Sequence, residues 1–597
     1  MEKRKAAVVI GVDKTGNLAK LKSAAAGADA VATWLQDEGY DVECLTDKQG
    51  PVRSRDVEDA ISKFVTLPVR YSLLVVYFSG HGYWHARSDR WLLSGAPTKT
   101  SEAINLNGAM DLARYSGIPN VVFISDACRS IPDSRTGAHV TGIDAFPNYA
   151  DTTGTSKIDV FKATSEARAA YEGDIGGQNK SILTHALMLA YTEPKPDMIH
   201  EVIEGARLMK VVPNRKLEDY LQDKVDDLLA DIDINLTQNI EANVPSSDDI
   251  YIAHIRPGTR VPVLRSYPGS PPPAEPGVRA GLAVRAVRAG RDAAGIVGRA
   301  LSAPATRGGA SAVHELLAVA NPETEAALTT RLPSVAVDHF ESRMGFVIHG
   351  ESVVNAATTK GVHNARVEIV DAGDGRINDA IVRVWDADPA VSVAIQVEGG
   401  RCCVLAALEG YIGHAYFDEA GLSNISYVPS SNHWRFGIYE QKKDEIDRLR
   451  ALVALAVQNN TFEIHSDQEA EALASEIRME KATDPTLGLY AAHALSQAGK
   501  DDSVLSVLDY MRHDLRTDLF DVRVLASRHV DQPWGSFPVA PFCPLLTQTW
   551  SLLRPRGITL PMVLQEASPY LCNSLWTTFE PKAAQHIIQA VETGELQ

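Results

Sequence analysis

Two stretches decide how this chain is read: Leu73-Leu-Val-Val-Tyr-Phe-Ser-Gly-His81-Gly82-Tyr83 and Val121-Val-Phe-Ile-Ser-Asp126-Ala-Cys128-Arg-Ser130. Each begins as an unbroken apolar run and ends in small and reactive residues. A run without polar alternation fits a strand buried on both faces, as in a parallel sheet covered by helices. In open α/β sheets, functional groups gather at the carboxyl ends of the strands. Adjacent strands of this kind bring the imidazole of His81 and the thiol of Cys128 to one edge. The glycines flanking His81 permit a tight loop and close approach of a substrate backbone.

The same alternation extends outward. Ala6–Gly11, Tyr40–Leu45 and Ile158–Ala163 read as further strands. Ser23–Glu38, Ser54–Phe64, Asn105–Tyr115 and Ser181–Tyr191 read as helices. The expected fold for residues 1–255 is α/β, a mostly parallel sheet flanked by helices. Tyr267–Gly277 (YPGSPPPAEPG) marks a Pro/Ala/Arg-rich linker over 256–334. Its arginine-rich part is read as a solvated helix or tether, with a docking arm for an acidic surface as the other reading. A β-rich domain is expected over 335–440, with candidate strands at 345–348, 365–370, 380–385, 391–397 and 402–405. A helical domain is expected over 441–597, with Gly488–Ala498 and Ser503–His513 as one hairpin.

The chain has 597 residues, 45% of them apolar, and a formal net charge of −18. Such a balance belongs to globular domains and excludes bulk affinity for a phosphate backbone, which needs concentrated Lys and Arg. No apolar run approaches the roughly 20 residues of a spanning helix, so no membrane partner is expected. Met1–Val12 reads as a first strand rather than a secretory signal, since no A-x-A-like site follows. Six cysteines without a C-x-x-C pair point to a reducing cytoplasm. Cys44, Cys402, Cys403, Cys543 and Cys572 are read as small buried hydrophobes, and His85 as an ordinary polar residue.

A thiol beside an imidazole is a nucleophile with its base. The histidine raises the thiolate fraction and later returns the proton to the leaving amine. The backbone N–H groups of Gly82 and Cys128 are the candidate oxyanion donors. SGHG after one apolar strand and DAC after the next, with His81 and Cys128 47 residues apart, resemble the caspase–metacaspase–paracaspase group of cysteine peptidases. A histidine about 50 residues upstream is part of the known caspase signature. Val8–Asp13, Gly39-Tyr-Asp-Val and Val160-Phe-Lys-Ala-Thr-Ser agree, so the resemblance covers about residues 5–200.

The resemblance implies a specificity. Asp126, two residues before the nucleophile, stands where metacaspases place the acidic base of a pocket selecting Arg or Lys. A carboxylate there can take a guanidinium through charge-assisted bonds and repels a substrate carboxylate. The other reading of Asp126 is a carboxylate capping the following turn. Ser79 and Asp29 are carried over as further substrate-binding positions, and Arg135 as a self-cleavage position in the long polar segment 129–157. Chemistry of this kind needs no cofactor. The resemblance leaves calcium dependence open, and no EF-hand pattern is present. It also implies protein substrates. An intracellular protease of basic specificity endangers its host unless gated, so the C-terminal half is expected to act as a gate, switched by a small molecule such as a nucleotide or by an activating protein. Antiphage defence or cell death in bacteria is the implied setting. The alternative is a caspase-fold pseudoenzyme or scaffold that binds partners without proteolysis.

Overall fold

In the computed structural model the chain divides into two compact units, Met1–Ser270 and Pro271–Gln597. The structure describes residues 4–66, 70–132, 134–148, 156–166, 168, 170, 172–174, 179–204, 207–231, 238–255, 342–360, 364–371, 380–443, 446, 483–530 and 536–596. The expected linker, 256–334, lies outside them.

The first unit is built on β1 (Lys5–Gly11), α1 (Ala24–Asp37), β2 (Asp41–Thr46), α2 (Ser54–Val65), β3 (Leu73–Gly80), β4 (Gly82–His85), β5 (Ser88–Leu92), β6 (Ala103–Asn105), α3 (Leu106–Ala113), β7 (Asn120–Ala127), α4 (Arg135–Ala138) and β8 (Lys157–Lys162). There follow β9 (Glu172–Asp174), β10 (Asn179–Ser181), α5 (Ile182–Thr192), β11 (His200–Glu204), β12 (Arg207–Val211), α6 (Leu217–Asp231) and β13 (Glu241–Asn243). The main sheet runs β13-β8-β7-β3-β1-β2 and is parallel except for β13, which pairs antiparallel with β8.

Alternate residues of each strand feed two cores. Val9, Val75, Tyr77, Val122 and Ile124 pack with α1, α5 and α6 on one face. Val8, Val76, Phe78, Val121 and Phe123 pack with α2 and α3 on the other. With both faces covered, every residue of β3 is buried, which is why its sequence lacks polar alternation. The small sheet β4-β5-β6 follows directly from β3 and folds over the carboxyl edge of the main sheet. The hairpins β4–β5 and β11–β12 and the short pair β9–β10 escape a sequence reading, being brief and without a repeating apolar pattern.

The second unit contains a sheet of β14 (Met344–His349), β16 (Arg366–Asp371), β17 (Ala380–Trp385), β20 (Tyr411–Asp418) and β21 (Gly421–Pro429). Its second sheet holds β15 (Val353–Thr358), β18 (Ala390–Val397), β19 (Cys402–Leu408) and the two-residue strand Thr578–Phe579. The helices α7 (Pro485–Gln497) and α8 (Asp501–Leu515) come later in the chain. Composition separates a β-rich domain at 335–440 from a helical one at 441–597. Among the described residues the two stretches share one core: Phe346, Val393 and Tyr427 belong to the same buried cluster as Leu489, Val507 and Trp576. The C-terminal strand pairing with β19 adds backbone hydrogen bonds to that union. A sequence window sees where strands give way to helices, but not that the helices cover the strands.

Candidate active site

The 47-residue spacing is a strand register. β3 and β7 pair in parallel from Leu73↔Asn120 (120 − 73 = 47) to Gly80↔Ala127, and the bridge Tyr83↔Ser130 keeps the same offset beyond the strand ends. His81 and Cys128 therefore occupy facing places just past the ends of neighbouring strands, which run about 4.8 Å apart in a sheet. The Trp84 N–H donates to the Ser130 carbonyl at 2.9 Å, and the Leu92 N–H donates to the His81 carbonyl at 2.9 Å. Both bonds fix the backbone around the pair.

His81 is half-buried, and its Nε2 lies 2.7 Å from the carbonyl oxygen of Ala19. A carbonyl only accepts, so Nε2 carries the hydrogen, and in the neutral ring Nδ1 is left with the lone pair. Ala19 sits in the segment between β1 and α1. That segment is itself tied down: the Leu21 N–H donates to the Asp13 carbonyl at 2.9 Å, and Asp13 Oδ1 accepts from the Ala25 N–H at 3.0 Å at the start of α1. Sequence reasoning passed over Ala19 because the group that acts is a backbone oxygen, which no side chain announces.

The half-buried Cys128 directs its thiol toward the Ala170 carbonyl, 3.7 Å away. Gly82 is required at its position. A Cβ there would stand 2.2 Å from the Cys128 carbonyl oxygen, so only glycine lets the two strand ends approach this closely.

Asp126 is buried at the same edge, two residues before Cys128 and therefore on the same side of β7. Its Oδ2 accepts from Thr184 Oγ1 at 2.5 Å, Tyr77 OH at 3.2 Å and, more weakly, Ser79 Oγ at 3.5 Å. Tyr77 and Thr184 are also 2.6 Å apart, oxygen to oxygen. Burial first, and then the neighbouring carboxylate, push the Tyr77 hydroxyl well above its ordinary range, so it stays a donor. The structure thus brings Ser79 and Asp126 together. Tyr77 was legible as their companion, because period two along LLVVYFSGH places 77, 79 and 81 on one face. Thr184 was not, since it arrives from α5.

Asp29 departs from expectation. It lies on α1 beside the edge strand β2, where it forms an ion pair with Lys48 and accepts from the Cys44 thiol at 3.7 Å. Two strands, β1 and β3, intervene between β2 and β7, so Asp29 does not join the group around Asp126. Arg135 is exposed and opens the four-residue helix α4, which is N-capped by Ser134 accepting from the Gly137 N–H. Part of the expected loop, 149–155, lies outside the described residues.

Directly after the thiol, Arg129 turns inward and is only 3% exposed. Its guanidinium pairs with Asp89 at 2.7 Å, with Glu241 and with Glu166 at 3.6 Å, and donates to the Thr164 carbonyl at 3.3 Å. Lys162 completes the cluster, 3.2 Å from Asp89 and 2.7 Å from Glu241. Burial alone would raise the Asp89 carboxyl, but Arg129 and Lys162 outweigh it and hold the group down at about 2. The Arg129 N–H also donates to the Arg168 carbonyl at 2.9 Å, so Thr164 and Arg168 are both held by this one residue. Among the described residues, no group of three His, Cys, Asp or Glu side chains could hold a metal ion, and no helix is long and apolar enough to cross a membrane.

Residues 4–216 match the family model of the caspase domain. The first unit is accordingly a caspase-like α/β domain, and this supports a cysteine peptidase. No curated protein matches the chain. Among solved structures, protein GSU0716 from Geobacter sulfurreducens is 14% identical, with a TM-score of 0.29 over 43% of this chain and 100% of its own. Pro-sf-caspase-1 is 10% identical, with a TM-score of 0.26 over 40% of this chain and 91% of its own.

Proposed function

We propose that the first unit is an endopeptidase that cleaves proteins after Arg, and after Lys, with Cys128 as nucleophile and His81 as base. The observation that carries this reading is the register that pairs residues 81 and 128, together with the Ala19 carbonyl that claims Nε2. Nδ1 is then the nitrogen that takes the thiol proton. Sγ attacks the scissile carbonyl, and the oxyanion that forms is met by the N–H groups of Gly82 and Cys128. The protonated imidazole gives its proton to the departing amine, leaving a thioester that water hydrolyses. Asp126 supports the basic specificity: it is a carboxylate two residues from the nucleophile, about 7 Å along the strand, within reach of an arginine side chain.

The remainder of the chain acts as a gate, switched by a small molecule or an activating protein in the cytoplasm, in a setting of antiphage defence or cell death. Self-processing after Arg135 belongs to the same proposal. Fluorogenic peptides differing only in the residue before the scissile bond test the specificity: cleavage after Arg and Lys is expected, and preferential cleavage after Asp overturns the role of Asp126. Mass spectrometry of the active chain beside Cys128→Ala tests the processing. Residues 1–255 alone matching the full chain in activity, with nothing added, would overturn the gate.

A further inference from the structure

The second unit holds an open cavity of about 540 Å³, within the range typical of small-molecule sites. Its walls come from residues far apart in sequence: Arg343 just before β14, Gly410 in the β19–β20 turn, His433–Arg435 after β21, and His513–Arg516 at the end of α8. The floor is built, not incidental. Arg435 is only 7% exposed and is held by Asp514 at 2.7 Å and by the Tyr411 hydroxyl at 2.9 Å. Its guanidinium carbon lies 4.6 Å from the ring centroid of Trp434, which is nevertheless 69% exposed. Gly410, at φ +79°, has no room for a Cβ because the His433 ring lies 2.4 Å from that position.

At the mouth, Arg516 adopts the left-handed conformation, φ 54°, at a helix end where glycine is the usual residue. What it gains is its side-chain pairing with Glu409 and, at 2.5 Å, with Asp388. Both carboxylates of the lining, Glu409 and Asp514, are thus already engaged by arginines. The side chains of Arg343 and His513 have no hydrogen-bond or ion-pair partner among the described residues. The unmet capacity of the cavity is therefore the guanidinium of Arg343, the ring of His513 and an exposed indole, all in one lining.

We propose that this cavity binds a small phosphorylated molecule bearing a flat ring, of mononucleotide size, with the phosphate on Arg343 and the ring stacked on Trp434. A planar guanidinium matches phosphate oxygens two at a time, and an exposed indole is a stacking platform. The proposal concerns the second unit alone and stands apart from the peptidase reading.

Isothermal titration of the full chain with AMP, GMP, CMP and UMP tests it, with adenosine and inorganic phosphate as separate probes. At least one mononucleotide is expected to bind with a Kd below about 1 mM and at least tenfold more tightly than either half alone. Arg343→Ala and Trp434→Ala, both at exposed positions, should each weaken that binding about tenfold while leaving the melting curve unchanged. No binding by any of the four, binding unaffected by either substitution, or inorganic phosphate binding as tightly as the mononucleotide would each overturn the proposal.

Discussion

Replacing Arg129 with methionine keeps most of the volume of the side chain and removes its charge from beside Cys128. In the native cluster Arg129 and Lys162 both pair with Asp89 and Glu241, and Arg129 also pairs with Glu166, which Arg87 faces as well; in the variant Lys162 is left as the cationic partner of Asp89 and Glu241. Breaking a buried ion pair from one side costs about 3–5 kcal/mol, because the abandoned charge stays buried. Asp89 is 7% exposed, but the Glu241 and Glu166 side chains are 23% and 26% exposed, so solvent softens part of the loss. The lower end, about 3 kcal/mol, is the expected cost. For a unit of this size that corresponds to a fall in Tm of roughly 6–12 °C, read by calorimetry on the full chain at pH 7. The pH dependence follows from Asp89. Its carboxyl is depressed from 3.8 to about 2, so its contribution is complete above about pH 4 and is lost as pH falls toward 2. The gap between wild type and Arg129→Met should therefore narrow over that interval. A variant melting within about 2 °C of wild type at pH 7 would refute the claim that this cluster anchors the strand end carrying the thiol.

Three further outcomes are expected. Gly82→Ala places a methyl 2.2 Å from the Cys128 carbonyl oxygen, where the nearest relief is movement of the backbone. It should cost about 1–3 kcal/mol in urea titrations and lower peptide hydrolysis about a hundredfold through displacement of the nucleophile. Asp126→Asn keeps an acceptor for Thr184 and Tyr77 but removes the charge, and should lower kcat/KM for an Arg substrate by about a hundredfold while an uncharged substrate changes little. At the end of the first unit, His254 bonds Glu38 at 2.9 Å and Glu204 at 3.1 Å, and the bond to Glu38 raises the imidazole above 6.5. Burial would raise Glu38, but His254 wins and lowers it below 4.5. The imidazole contributes fully below 6.5 and loses its contribution as pH rises through its folded value, while the carboxylate contributes above 4.5. The Tm difference between wild type and His254→Gln should peak between those limits and shrink as the pH rises further above 6.5; an unchanged difference would dismiss the clasp.

The sequence spoke most clearly where one segment carries its own pattern. The strands of the main sheet announce themselves because both of their faces are covered, and β3 and β7 also carry His81 and Cys128 at their ends. The spacing of those two residues was visible as a number, but its meaning as a register needed the partner strand. Groups that arrive from elsewhere left no local trace. Thr184 reaches Asp126 from α5, the Ala19 carbonyl reaches His81 from a loop, and Glu241 reaches Arg129 from β13. Asp29 shows the complementary limit: its place on the first helix matches a family position, while its ion pair with Lys48 beside the edge strand is not legible in the sequence. In the second unit, β15, β20 and β21 were passed over, and the core they share with the helices was invisible to composition.

The most direct test is covalent. A peptide ending in Arg with a thiol-reactive group in place of the scissile bond, added to the full chain with any activator it needs, should modify Cys128 alone. Modification should fall by about a hundredfold or more in His81→Ala, since the ring no longer takes the thiol proton. Modification spread over Cys44 and Cys572, or labelling of Cys128 at the same rate with His81 removed, would contradict the pairing of sulfur and imidazole on which the function rests.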